Sequence, residues 1–167
     1  MSLFVNYHRN METARQRGND IGPTGKTVAE NVKRLRGELN LKQSELSERL
    51  SALGQPIPTA SIGKLESGLR KVEVDDLMAI AVALNVSPLA LLLPDTRSPE
   101  AKVDVTGAEN QRSGDVWQFG LGETPLAATA PPGALDFQER TMPYWAGWQN
   151  QARDQMAAFG DDDGKRP

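Results

Sequence analysis

Residues 59–68 read TASIGKLESG. Ile62 and Leu65 stand three apart and share one helical face, while Thr59, Ala60, Ser61, Gly63 and Lys64 are small, polar or basic and occupy the remainder. The spacing predicts a short helix from Thr59 with its apolar pair inward, and Gly68 suits the left-handed position just past a helix end. The outer flank is what a helix entering a DNA groove requires. The major groove of B-DNA is about 12 Å wide, so bulky apolar groups at the leading end would block approach, whereas short hydroxyls and one long cation can reach base edges and phosphates. Taken alone, the same stretch also describes an ordinary surface helix, and its flanks decide between the two.

Upstream, Thr27, Val28, Ala29 and Glu30 match a capping box, and Val28, Val32, Leu35 and Leu39 follow at helical spacing. A first helix is expected over about residues 28–39, stopped at Asn40. Gln43 opens a second helix with Leu46, Leu50 and Leu53 on one side and Gly54 at its end; the turn QPIP, residues 55–58, then delivers the chain to Thr59. Asp75 or Asp76 starts a fourth helix that places Leu77, Ile80, Ala81 and Leu84 inward, with Asn85 as its cap. Ser87 and Pro88 are an N-cap and a first-turn proline for a fifth helix through Leu89, Leu92 and Leu93, ended by Pro94. An all-α domain of five short helices around a leucine-rich core is expected, with the helix at Thr59 as the second member of a helix-turn-helix.

Over residues 27–94 the chain resembles the lambda-repressor-like regulators, the Cro/C1 or XRE family, in the form found in actinobacteria and their phages. The segments that carry the resemblance are VKRLRGELNLKQSEL (residues 32–46), SIGKLESGLRKV (61–72) and LMAIAVALNVSPLALLLP (77–94). It implies a five-helix fold, sequence-specific binding to double-stranded DNA and regulation of transcription. Repression by occupying promoter DNA is the implied mode, with a phage or prophage immunity repressor as a narrower form. It also implies Gln43 and Ser44 on the phosphate backbone, Thr59, Ala60, Ser61 and Lys64 toward bases or adjoining phosphates, and Arg70 and Lys71 along the backbone beyond. A partly buried ion pair between Arg36 and Glu66 is implied as well. The chain departs from the family pattern at SALGQPIP, residues 51–58, where about one extra helical turn and a proline-bracketed loop replace a tight turn and alter the register of base-contacting residues.

Charge must be divided by region before it bears on a nucleic-acid partner. The 167 residues carry a net −3, but residues 24–93 hold nine Lys/Arg against eight Asp/Glu, and residues 1–23 three against two. The acidity lies in residues 94–167, with seven Lys/Arg against twelve Asp/Glu. The domain itself is therefore near neutral, with Lys64, Arg70 and Lys71 near the proposed DNA face, which implies few phosphate contacts and a shallow salt dependence. Those cations also read as solvated surface charges.

With no cysteine and a single histidine, His8, disulfides, thiolate catalysis and cysteine- or multi-histidine-ligated metal are excluded, and neither a metal nor a cofactor is expected. GPTGKT, residues 22–27, ends like a phosphate-binding loop, but the full pattern places a glycine where Asp20 stands and a strand where none reads, so Thr27 is assigned to the helix cap. No elbow surrounds any serine, and no catalytic role is expected. No apolar run approaches the roughly 20 residues that span a bilayer, and the N-terminus lacks an apolar signal core; no membrane contact and a cytoplasmic location are expected.

The flanks read as an arm (residues 1–24), a linker with weak local structure (95–134), a helical segment (135–160) and a tail (161–167). The arm's Arg9, Arg15 and Arg17 suit either a minor-groove contact or a solvated tail. Lys102 to Val105 alternates like a short strand, Ser113 caps a short helix with Val116, Trp117 and Phe119, and residues 122–134 read as extended. From Pro143, Trp145, Trp148, Ala152, Met156 and Phe159 fall at helical steps. This stripe packs on its own domain, or serves a homodimer or a protein partner. An antitoxin-like or adaptor protein using Trp145, Trp148, Met156 and Phe159 is thus the alternative to a DNA-binding regulator.

Overall fold

The computed structural model describes residues 21–126 and 134–143. The chain divides into two compact units, Met1–Ser113 and Gly114–Pro167. Among its described residues the first holds five helices and a hairpin: α1 (Pro23–Glu38), α2 (Gln43–Ala52), α3 (Thr59–Glu66), α4 (Val74–Leu84), α5 (Pro88–Leu92), β1 (Lys102–Val105) and β2 (Ala108–Arg112). The architecture is helical, with one small antiparallel sheet.

Four successive helices stop in the same way. Asn40, Gly54, Gly68 and Asn85 all have positive φ, near 55°, 80°, 68° and 54°. After α3 the Gly68 N–H donates to the Leu65 carbonyl at 2.9 Å and the Leu69 N–H to the Lys64 carbonyl at 2.8 Å, so the last turn's carbonyls are satisfied while the chain reverses. Asparagine and glycine tolerate this backbone conformation better than other residues, which is why these helix ends are legible in sequence.

The helices converge on one core. Val28 and Val32 of α1, Leu46 and Leu50 of α2, Ile62 and Leu65 of α3, and Ile80, Ala81 and Leu84 of α4 are buried together with Ile57 and Leu91. Each such large side chain contributes roughly 1.5–3 kcal/mol relative to exposure. Leu39 and Leu53, expected on the inner faces, are about half exposed, at 47% and 49%. Both are C-cap residues, where the backbone has left the helix and helical period no longer decides direction. In α5 the fully buried residue is Leu91, with Leu92 only half-buried.

α1 begins earlier than the capping-box reading placed it. Pro23 occupies the first turn and Gly22 the N-cap, so Thr27 lies inside the helix and caps nothing. Two contacts explain the added turn. Thr24 Oγ1 accepts the Thr106 N–H from the hairpin turn at 2.9 Å. Gly25 leaves room for Ile21 to fold back, since a Cβ there would lie 2.6 Å from Ile21 Cγ2. GPTGKT therefore forms a helix start and not a phosphate cradle.

The alternating stretch at Lys102 is β1, and its partner β2 was not anticipated. Lys102 pairs with Arg112, Val103 with Gln111 and Val105 with Ala108, with an irregularity between Val103 and Val105. AENQR has no apolar alternation to announce a strand; cross-strand hydrogen bonding makes it one.

In the second unit, α6 (Ser113–Gly120) matches the helix expected at Ser113, while α7 (Ala134–Thr141) falls at the start of the segment read as helical (135–160), ahead of the stripe read from Pro143. The Phe119 and Phe137 rings lie 5.9 Å apart, and Gln138 Nε2 donates to the Glu123 carbonyl at 3.2 Å. The helix read from Pro143 onward, the arm before Ile21 and most of the extended stretch lie outside the described residues.

Candidate nucleic-acid interface

α3 is held from both ends and from beneath. Before it, Ile57 inserts into the core at 2% exposure, and the Ser47 hydroxyl of α2 donates to the Ile57 carbonyl at 2.6 Å. The proline-bracketed loop is thus an anchored connection, and Pro58 at the N-cap sets the entry angle of the helix. Along α3, Ile62 and Leu65 are buried at 1% and 0%. Thr59, Ala60 and Lys64 are exposed, and Ser61 and Gly63 half-buried, on the other side.

At the far end stands Glu66, whose side chain is only 3% exposed. Arg36 of α1 donates from Nε to Oε1 at 2.5 Å and from Nη2 to Oε2 at 3.0 Å, while Gln43 Nε2 of α2 reaches Oε2 at 2.7 Å. The same guanidinium donates Nη1 to the Leu41 carbonyl. One carboxylate thereby ties the three helices together. Burial pushes its pKa up, but the hydrogen bonds from Arg36 and Gln43 and the charges of Arg36 and Lys33 outweigh burial and hold it below the usual glutamate value. Hydrogen bonding to Glu66 raises the Arg36 guanidinium against the opposing effect of burial.

The expected site residues fall into two groups. Ser44, Thr59, Ala60 and Lys64 are exposed, on the first turn of α2 and the outer flank of α3. Ser61 is half-buried between them. Gln43 is half-buried with its amide on Glu66, and its oxygen would lie 3.4 Å from a Cβ at position 63, so the start of α2 crosses α3 at Gly63. Arg70 is drawn inward: Nη2 donates to Asp76 Oδ2 at 2.6 Å, and Gln55 Nε2 donates to Oδ1 of the same buried carboxylate at 2.9 Å. Lys71 is exposed on the connection leaving α3. Trp145, Trp148, Met156 and Phe159 lie outside the described residues.

This geometry presents a short helix, flush with the start of its predecessor, whose outer flank carries two hydroxyls, a methyl and a lysine. The sequence model of the helix-turn-helix family matches residues 32–91. These residues form an XRE-type, lambda-repressor-like helix-turn-helix domain. Domains of this family bind DNA, which supports a DNA-binding transcriptional regulator of XRE type. No curated protein and no solved structure gives a match. No helix among the described residues is long and apolar enough to cross a membrane.

The helix-turn-helix domain also depends on residues that sequence reading passed over. Asn31 of α1 is 3% exposed and donates Nδ2 to the carbonyls of Leu91 and Leu93 at 3.1 and 2.9 Å, closing the open end of α5. Its only sequence signal is a polar residue between the core positions Val28 and Val32. Asp76 is similar: an acid in a helix's first turn reads as a dipole partner, and only the folded chain shows it collecting Gln55 and Arg70.

Proposed function

We propose that the protein is a repressor that inserts α3 into the major groove of promoter DNA. In this reading Thr59, Ala60, Ser61 and Lys64 face base edges or adjoining phosphates, and Ser44 and Lys71 meet the flanking backbone. Gln43 shares the approach while bracing Glu66. Arg70 contributes to the same electrostatic surface from its bond to Asp76. The observation that carries the reading is the exposed, small and hydrophilic flank of α3 on a helix whose pose is locked by Glu66. Preorganisation matters because base contacts are lost when the reading helix shifts by a fraction of a hydrogen-bond length.

Occupancy of a promoter would exclude polymerase, which makes repression the expected consequence of binding. A phage or prophage immunity repressor is the narrower form of this role. Selection of bound fragments from sheared genomic DNA tests both. A shared sequence should be enriched, and fragments beside the protein's own gene would favour the immunity form. Recovery indistinguishable from bulk DNA at low and moderate salt, about 50–200 mM, would overturn the reading.

A further inference from the structure

Helix α3 is eight residues long and packs chiefly against α1 and α2. Its inward anchors are Ile62 and Leu65, and apolar packing is non-directional, so it holds a short helix in the core without fixing its slide or roll. Directional bonds must do that. Glu66 supplies them on the side of α1 and α2. On the side of α4 the Asp76 carboxylate does so, from a side chain that is 5% exposed.

The bonds of Asp76 run to both connections that flank α3. Oδ1 accepts from Gln55 Nε2 at 2.9 Å, in the stretch that leads into the helix, and Oδ2 accepts from Arg70 Nη2 at 2.6 Å, in the stretch that leaves it. Gln55 lies in SALGQPIP, the longer link at which the chain departs from the family pattern. A tight turn sets the angle between two helices through its own backbone, whereas a longer link leaves that angle to other contacts. Here the bonds from Ser47 to the Ile57 carbonyl and from Gln55 to Asp76 take over. The whole of α3 separates Gln55 from Arg70, yet they share one acceptor, so a shift of the helix strains a bond at one of its ends.

We propose that Asp76 is a positioning residue for base recognition, clamping the connections before and after α3 so that its outer flank meets the groove in one register. This rests on the reading of α3 as the DNA-reading helix. Asp76 is buried and reaches no DNA itself; it acts through Gln55 and Arg70. The charge gives the proposal a sign that a bystander carboxylate lacks. Removing an anion from a DNA-binding protein ordinarily tightens binding to every duplex, because repulsion of the phosphates falls. Asp76→Asn keeps the volume, but its amide nitrogen would face one of the two donors, so one connection is released. Binding to the preferred site should therefore weaken although a negative charge is lost.

Anisotropy titrations of the full chain against a duplex recovered by selection from genomic fragments, and against a shuffled duplex, test it. Thermal melts establish that each variant is folded at the titration temperature. Asp76→Asn should lower the ratio of specific to non-specific affinity about tenfold, roughly the value of one base contact, without weakening the shuffled duplex. Gln55→Met, which removes only the donor of a half-buried side chain, should lower the ratio in the same direction. Should Asp76→Asn fail to fold, Gln55→Met decides. An unchanged ratio in either folded variant overturns the proposal, and so does an Asp76→Asn protein that binds both duplexes equally more tightly. A wild-type chain that does not distinguish the duplexes overturns the reading of α3 as well, an outcome seen before any variant is made.

Discussion

Arg36 and Glu66, thirty positions apart, are joined by two hydrogen bonds that lock the end of α3 to the flank of α1. A buried pair of this kind stabilises little relative to a well-packed apolar replacement, because desolvating two charges offsets their attraction. Its effect lies in geometry: the carboxylate also holds Gln43, so both helices of the helix-turn-helix are referred to one point.

Removing either partner strands the other. Glu66→Ala and Arg36→Ala should each lower unfolding free energy by about 2–4 kcal/mol, and the double variant should lose clearly less than the sum. Urea unfolding of the four proteins measures the coupling. Strict additivity would show that the two side chains act independently.

Acid should expose the same interaction. Since the folded pKa of Glu66 lies below its ordinary value of 4.5, the stabilisation is complete above that value and is lost as pH falls through the depressed one. The stability difference between wild type and Glu66→Gln should therefore be constant above about pH 5 and shrink toward lower pH. Thermal melts across that range check it, and parallel curves down to strongly acidic pH would contradict the assignment.

Asn31→Ala should destabilise the domain by about 1–3 kcal/mol, because the Leu91 and Leu93 carbonyls lose their shared donor at the buried end of α5. Asn31→Leu should not recover the loss, since it restores volume without a donor. Hydrogen exchange in α5 should accelerate in both.

Lys64 and Arg70 should separate recognition from stability. Lys64 is exposed, so Lys64→Ala should leave the melting temperature unchanged and weaken specific binding by about 1–3 kcal/mol if it reads a base. A phosphate contact would instead weaken all sequences alike and reduce the salt slope by about one. Arg70→Ala should lower stability, because it removes a partner of the buried Asp76. Anisotropy titrations paired with melts distinguish these; a Lys64→Ala protein with wild-type affinity and sequence preference would remove Lys64 from the interface.

Much of the helical domain was legible because its signals are local. Stops at Asn40, Gly54, Gly68 and Asn85 reflect backbone preferences of single residues, and the inward leucines follow the helical period. Thr27 misled because the extra turn of α1 depends on the bond between Thr24 and Thr106, 82 positions apart. β2 was invisible because AENQR becomes a strand only by pairing. Leu39 and Leu53 misled because each falls where the helix that set the period had already ended.

The chain alone determined where helices begin to reverse and which leucines and isoleucines turn inward, since torsional preference and period act between neighbours. Tertiary structure decided that Asp76 gathers Gln55 and Arg70, that Asn31 closes α5, and that Val74, Met78 and Val82 remain outside. Those outcomes depend on distances between segments remote in sequence. A polar side chain becomes a brace, or an apolar one a surface, only when the rest of the chain arrives beside it or leaves it uncovered.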